Sequence, residues 1–133
     1  GELFSGTHNF ASGGDTFKIA LYTGSIGSVY TTASTVVSAT NEVNTGGGSN
    51  YTRKTLSSQA VASSTAVASV DFGDTTWTSA TFTAAFAAIY NDDQGDKLCV
   101  VLDFGGDKTC TNGTFKITYP DPATPANAII SMS

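Results

Sequence analysis

The sequence predicts an all-β protein, a single antiparallel β-sandwich over residues 1–133 of the immunoglobulin-like or jelly-roll-like kind, with one long Gly/Ser/Thr-rich loop. Three observations support this fold class. Apolar side chains alternate at period two in several short segments, turn residues separate those segments at regular spacing, and Ser and Thr together number 36. Alternation predicts strands, Thr suits a pleated surface, and about seven or eight short strands with regular turns are typical of sandwiches and Greek-key barrels.

The charge balance excludes two classes of partner. Six Lys and Arg residues stand against eleven Asp and Glu residues, which gives a net charge of −5, and only 13% of residues are charged. Nucleic acids and anionic membrane surfaces both require a basic face. No apolar run approaches the roughly 18–20 residues of a membrane span. We therefore expect no nucleic acid and no membrane among the partners.

The stretch Leu98–Tyr119 carries the strongest structural signal. Its alternating apolar residues form two groups, which are Leu98, Val100, Leu102 and Phe104, then Phe115, Ile117 and Tyr119. Gly105–Lys108 and Asn112–Gly113 lie between the groups, and Gly and Asn accept the positive φ angles of turns. The pattern predicts two strands joined by a long turn, and other strands must cover its apolar face because an isolated hairpin is not stable.

The remaining predicted strands follow the same alternation. They are Phe17–Thr23, Tyr51–Val61, Ala66–Phe72, Thr81–Tyr90 and Ala128–Met132. In Thr81–Tyr90 the pattern places Phe82 and Phe86 on one face, and Ala87 and Ile89 on the other. Because both faces are largely apolar, we expect a central strand that is covered on both sides or faces a partner.

The region Ser25–Asn50 is the least regular part of the sequence. It is rich in Ser, Thr, Gly and Asn, and it contains the linker-like run at 46–49. Thr35–Val43 is compatible with a short helix or an edge strand. Long connections without regular structure are uncommon unless they bind something. We expect an exposed loop and the region that touches a partner.

Candidate nucleophilic and thiol chemistry is sparse. His8 is the only histidine, and although Ser and Asp are plentiful, no nucleophile motif accompanies it. A loop-packing role for His8 is the favoured interpretation. Two cysteines do not form a disulfide framework or a zinc site; a Cys99–Cys110 bridge requires a bulged or wide loop between them, and this alternative stays open.

The aspartates favour turns over ligand sites. Asp92, Asp93 and Asp96 could suggest calcium, but their spacing does not follow the calcium-loop order, so a solvated turn is preferred. Asp71 and Asp103 each close a predicted strand, where a turn contact with the backbone explains them. We therefore expect no catalytic residues, no metal ligands and no cofactor-binding residues.

Two surface features remain as binding alternatives. Sequons begin at Asn50 and Asn112 and matter only in a eukaryotic secretory protein. Trp77 could form a sugar-stacking platform with a tyrosine, although a single Trp in a small β domain is more often part of the core. The tyrosines considered are Tyr22, Tyr30 and Tyr51.

An ordered set of segments resembles a known family. The segments are FKIALYT, SNYTRKTL, VDFGDTTWTSATFTAAFAAIYND, VVLDFGGDKT, NGTFKITYP and NAII, and they cover most of the chain from Phe17 to Ile130. This set is similar to small virion structural proteins of tailed bacteriophages, a family common among marine and cyanobacterial phages. The chain departs from the pattern in Ser25–Asn50 and in its two cysteines.

The resemblance implies a non-enzymatic component of a virus particle. It implies a capsid decoration or cement protein that binds the major capsid protein or other virion proteins and its own copies, made in the bacterial host cytoplasm. A tail or fibre subunit that assembles by strand addition is an alternative within the particle. A carbohydrate-binding or adhesin-type β-sandwich is the alternative from another class. The family supplies no catalytic residues.

Overall fold

The computed structural model describes residues 14–31, 33–44, 46, 49–57, 60–63, 68–118 and 129–132. Within this part there are seven strands, of which those at 60–63, 68–71 and 129–132 are described by their backbone alone. The strands are β1 (Phe17–Tyr22), β2 (Lys54–Thr55), β3 (Ala60–Ser63), β4 (Ala68–Asp71), β5 (Thr75–Asn91), β6 (Lys97–Thr118) and β7 (Ile129–Met132). Short 3-10 helices occur at Ile26–Ser28 and Asp92–Gln94.

The strands form one open antiparallel sheet and one separate ribbon. Four strands pair in the order β1-β5-β6-β7, the two-residue β2 extends the β1 edge, and β3 pairs with β4 alone. The predicted all-β class is confirmed, whereas the described residues do not confirm a sandwich. None of the helices in the described ranges is long and apolar enough to cross a bilayer.

The predicted hairpin at Leu98–Tyr119 is wrong. Its described part, Leu98–Thr118, belongs to one strand, β6, which pairs antiparallel with β5 from Lys97 opposite Asn91 to Ile117 opposite Thr75. The hairpin turn instead follows Asn91, whose side chain accepts a hydrogen bond from the Asp93 N–H. Gly and Asn residues permit a β-bulge as readily as a turn. Because β5 is seventeen residues long, it pairs with β6 on both sides of these residues, and β6 continues through them as one strand.

The largest interruption of the ladder is the 104–107 bulge of β6. Phe86 lies opposite Asp103 and Ala84 opposite Lys108, so four residues of β6 face one residue of β5. Gly105 and Gly106 adopt φ values of 76° and 145°, which strain any residue with a Cβ. Smaller shifts occur beside Ser79 and Asn112, which also have positive φ.

These bulges change which side chains share a face. The described core has two clusters on opposite sides of the sheet. The large cluster contains Phe17, Ile19, Leu21, Val43, Tyr51, Leu56, Phe72, Trp77, Ala80, Phe82, Ala84, Ala87, Ile89, Phe104, Cys110, Phe115 and Ile117. The small cluster contains Ala20, Tyr22, Tyr30, Ala85, Phe86, Ala88 and Tyr90. Neighbouring Ala85 and Phe86 both belong to the small cluster, so the expected common face of Phe82 and Phe86 is wrong.

The same correction applies to the start of β6. Leu98 packs against the small cluster with Val101, whereas Cys99 packs against the large cluster with Val100. The register shift between Ile89 and Tyr90 explains the change, because one extra residue on β6 reverses the alternation. Leu98 therefore lies on the opposite side of the sheet from the position that simple alternation predicts.

Chain segments cover both faces of β5, as its double apolar pattern predicts. Residues 84–90 are all buried. Residues of the 49–57 segment and Phe72 cover the large-cluster face, and residues from the 26–37 segment cover the other. The predicted strand at Tyr51–Val61 is broken. Among its described residues, strand is present only in Lys54–Thr55 and in the first half of Ala60–Ser63, and between them the buried Leu56 donates its N–H to the Phe17 carbonyl.

The loop expected to be exposed at Ser25–Asn50 lies partly against the sheet. Tyr30 and Val43 are each only 5% exposed. In the Thr35–Val43 part, Val36 and Glu42 form isolated bridges, and neither a helix nor a strand is present. A single aromatic side chain within a polar run gives no periodic signal, so the sequence did not reveal this packing.

Candidate functional site

A ring of three hydrogen bonds fastens the 24–44 loop to the sheet. The Tyr30 hydroxyl donates to the Tyr22 hydroxyl (2.8 Å), which donates to the Ser38 carbonyl (2.6 Å). The Ser38 N–H in turn donates to the Tyr30 oxygen (2.9 Å). The Tyr22 ring stacks on Phe86 with centroids 5.0 Å apart. Burial, reinforced by the hydrogen bond with Tyr30, raises the pKa of Tyr22, so the phenol stays neutral.

A charged network fastens the end of the same loop. Arg53 donates two hydrogen bonds to the Glu42 carboxylate (2.8 and 2.9 Å), and the Tyr51 hydroxyl donates a third (2.7 Å). Arg53 also lies over the Tyr90 ring, 5.3 Å from its centroid. Burial raises the pKa of Glu42, but the hydrogen bonds from Arg53 and Tyr51 outweigh it and leave that pKa below its ordinary value. The hydrogen bond with Glu42 raises the pKa of Arg53.

The first turn of the same loop forms one wall of an open cleft. The cleft lies between this turn and the 104–107 bulge, and its volume is about 230 Å³. It is lined by Gly24, Ser25, Ile26, Ala85, Phe86, Asp103, Gly106 and Asp107. Apolar groups come from β5 and Ile26, and both carboxylates come from β6. We refer to this feature as the bulge cleft.

The two carboxylates of the bulge cleft are exposed and have no cationic partner within 4.0 Å among the described residues. Asp103 Oδ1 accepts a hydrogen bond from the Gly105 N–H (2.9 Å), which confirms the predicted turn contact of this residue. Three other carboxylates among the described residues, those of Glu42, Asp74 and Asp92, are ion-paired. The cleft therefore presents two carboxylates next to the buried side chains of Ala85 and Phe86.

A second accessible feature is the outer edge of β6. In the described part of the chain, β7 pairs only with Phe115–Thr118 and Val36 pairs only with Lys97. The Leu98 N–H also donates to the Thr35 carbonyl (2.9 Å). From Val100 to Thr114 the edge has no strand partner among the described residues, and Val100–Leu102 is half-buried. An unpaired edge is a template for another chain, although bulges such as the one at 104–107 restrict such pairing.

The side chains of the predicted acidic turn bind residues in and just before β1. Asp92 forms a salt bridge with Lys18 (3.2 Å), and Asp93 Oδ2 accepts a hydrogen bond from the Thr16 N–H (2.6 Å). Asp96 has a positive φ of 58° after Gly95. Within the described ranges, no three His, Cys, Asp or Glu side chains cluster as metal ligands do.

The hypothesis that Trp77 forms an exposed sugar-stacking platform is wrong. Trp77 is 1% exposed, and its Nε1–H donates to the Thr52 carbonyl (2.8 Å). The tyrosines considered beside it are all buried, at 0% for Tyr22, 5% for Tyr30 and 1% for Tyr51. The residues that sequence reasoning offered for sugar stacking therefore belong to the core.

The Cys99–Cys110 bridge is also wrong, since neither cysteine forms a disulfide. Both residues lie on β6; Val100, next to Cys99, pairs with Ile89, and Cys110 pairs with Phe82. Seven positions of β5 separate these pairs, which corresponds to roughly 20 Å at the rise of a strand. A disulfide requires Cα atoms about 4.4–6.8 Å apart.

Other predicted residues have structural contacts or lie outside the described part. His8 lies outside the described residues, and Asp71 is described by its backbone alone, as part of β4. Of the sequon residues, Asn50 donates its side-chain amide to the Ser79 carbonyl (2.7 Å), and Asn112 is exposed at a bulge.

Sequence reasoning did not identify the bulge cleft. It marked Gly105–Lys108 as a turn and Asp103 as a strand end, but it did not connect them with Gly24. The signal available was two aspartates flanking a Gly-Gly pair; the facing loop has no local signature. Comparison of the chain with protein-family models, curated proteins and solved structures finds no match.

Proposed function

We propose that this chain is a non-enzymatic structural protein of a bacteriophage particle. In this proposal it decorates the capsid and stabilises it through contacts with the major capsid protein and with its own copies. The proposal rests on the family resemblance of the ordered segments from FKIALYT to NAII. It includes a sandwich architecture, in which the open sheet is one layer and the β3–β4 ribbon is part of the other.

The observation that most supports a role in assembly is the outer edge of β6. A sheet edge that is open among the described residues offers backbone N–H and C=O groups to a neighbouring subunit. Across the whole sequence only 13% of residues are charged and Ser and Thr number 36, which favours contacts between copies through hydrogen bonds. Buried networks hold the long loop to the sheet, which favours repeated contacts of fixed geometry.

Quantitative mass spectrometry of purified particles tests the proposal directly. Particles of the virus that encodes the chain, isolated on a density gradient, should contain it in a fixed ratio to the major capsid protein. Antibodies against the purified chain should label the particle surface in electron micrographs. Absence of the chain from such particles, or a variable trace amount, would overturn the proposal.

A tail or filament subunit is the second candidate, and the same β6 edge favours it. Such a subunit should form long polymers at high concentration, whereas a decoration protein should remain a small oligomer until capsids are added. Sedimentation velocity over a hundredfold range of concentration separates the two. The carbohydrate-binding alternative loses the aromatic residues on which it was based, because all of them are buried.

A further inference from the structure

The first seven residues of β6, Lys97–Asp103, form a run that is complementary to a second copy of itself. Their sequence is KLCVVLD, with a lysine at one end, an aspartate at the other and apolar residues between them. When two such runs pair antiparallel about their middle residue, Val100, the lysine of each copy lies opposite the aspartate of the other. Opposite charges attract across an antiparallel pair, whereas like charges at the same positions are unfavourable.

Both end charges of the run are available for this contact. Neither Lys97 nor Asp103 forms a salt bridge with another described residue. The Asp103 side chain is exposed and that of Lys97 is half-buried. Asp103 uses Oδ1 to accept the hydrogen bond from the Gly105 N–H, and a carboxylate has the capacity to accept several more.

The run also has the position and length that strand pairing requires. It lies at the outer edge of β6, and it ends at the 104–107 bulge, beyond which a partner strand cannot follow the edge regularly. Seven residues exceed the usual strand length of about 5–6. The register shift between Ile89 and Tyr90 falls within the run, so a second copy gains fewer hydrogen bonds than a regular edge provides. We therefore expect a weak and reversible pairing.

The 35–37 segment of the loop occupies the beginning of the same edge. The Val37 N–H donates to the Asp96 carbonyl (3.0 Å), and the Thr35 carbonyl accepts from the Leu98 N–H (2.9 Å). A second copy cannot pair with this end of the run while the segment is bound. Covering an edge with a loop is one way in which proteins limit edge-to-edge association.

We propose that two copies of this chain pair antiparallel through Lys97–Asp103, and that the 35–37 segment competes for this edge and restrains the pairing. Both copies use the same surface, so the contact closes as a dimer and does not propagate into a fibre. The inference rests on the proposed function for one point, which is that the β6 edge makes contacts between copies. It adds the register of the contact and the segment that regulates it.

Exchange of the two end charges tests the register. Lys97→Glu places acidic side chains opposite each other in the dimer, and Asp103→Lys places basic side chains opposite each other. In sedimentation velocity each variant alone should show a dimer Kd about tenfold higher than wild type. An equimolar mixture should form a heterodimer, identified by its mass in native mass spectrometry, because every altered charge then lies opposite its complement. Each substitution changes a net charge of −5 by two units, so both variants stay negative and general attraction does not explain the heterodimer.

A matched pair of proline variants tests the restraint. Val37→Pro removes the N–H that donates to the Asp96 carbonyl and should release the segment. The dimer Kd should then fall roughly tenfold, and in dilute solution the Leu98 amide should exchange faster. Val36→Pro makes the same substitution one position earlier and leaves that N–H in place, so it should change neither quantity.

Two outcomes would overturn the inference. One is a mixture of the charge variants that is no more dimeric than either variant alone. The other is a Val37→Pro protein with native circular dichroism that remains as monomeric as Val36→Pro; if Val37→Pro does not fold, the charge exchange decides alone. These experiments use no virus particles, so failure of the dimer leaves the particle experiment unaffected, and absence of the chain from particles leaves the dimer measurable.

Discussion

Substitution of Glu42 by Gln should destabilise the protein much more than the loss of one surface charge. Glu42 is 15% and Arg53 30% exposed, and the carboxylate accepts two hydrogen bonds from Arg53 and one from Tyr51. A hydrogen bond to a charged group contributes about 1.5–3 kcal/mol, whereas an exposed ion pair contributes about 0–1 kcal/mol. Because Arg53 keeps some contact with water and with Tyr90, we expect a loss of about 2–3 kcal/mol.

The assay is urea unfolding at neutral pH, compared with a matched control. With a denaturant dependence of about 1–3 kcal/mol per molar urea, Glu42→Gln should lower the unfolding midpoint by about 1–2 M. Asp74→Asn makes the same charge change in the Lys116–Asp74 pair, whose side chains are 41% and 46% exposed, and should change stability by less than about 1 kcal/mol. Equal midpoints for the two variants would refute the reasoning.

Comparison of the wild type with Glu42→Gln also tests how stability depends on pH. Because the pKa of Glu42 is lower in the folded protein than its ordinary value of 4.5, the carboxylate stabilises the fold above that value. This contribution should disappear as the pH falls through the lowered pKa, since the folded carboxyl then takes up its proton. The stability difference between wild type and Glu42→Gln should therefore be constant near neutrality and shrink below about pH 4.5. A stability difference between wild type and Glu42→Gln that stays unchanged under more acidic conditions would contradict the hydrogen bonds of the Glu42 carboxylate.

Three further predictions concern the core, the loop and the thiols. Trp77→Ala should cost about 3–5 kcal/mol in urea unfolding because a buried aromatic is removed; a change within 0.5 kcal/mol, of the order seen for surface sites, would place it outside the core. Tyr30→Phe should cost about 1–2 kcal/mol and speed amide exchange at Ser38, whereas unchanged exchange contradicts the hydrogen-bonded ring. Under native, non-reducing conditions mass spectrometry should show no disulfide, and half-buried Cys99 should react with iodoacetamide before Cys110, which is 3% exposed; the reverse order would contradict their burial.

The elements that sequence predicted best are those with strict local alternation. β1 covers nearly all of the predicted Phe17–Thr23, with Phe17, Ile19 and Leu21 in one cluster and Ala20 in the other. The last strand also agrees, since β7 lies within the predicted Ala128–Met132. Local alternation is sufficient where a strand is short and its pairing has no bulge.

The hairpin of β5 and β6 could not be predicted from local sequence, because the contacts that decide it join residues distant in sequence. Gly105, Gly106 and Asn112 have the same intrinsic preference in a turn and in a bulge, and only the length of β5 decides between them. The bulges then reverse the faces of Leu98 and Phe86, which no local pattern records. The networks of Tyr30 and of Glu42 join residues between 8 and 37 positions apart, so they too lacked a local signal.

The 104–107 bulge also affects how this chain tolerates changes in length. In a regular strand, one inserted residue exchanges the two faces for every position beyond it. Here, pairing is already suspended for four residues, while Asp103 and Lys108 hold fixed partners on either side. A short peptide tag placed between Gly105 and Gly106 would therefore leave both halves of the long hairpin in register, making this bulge the natural position for a label within β6.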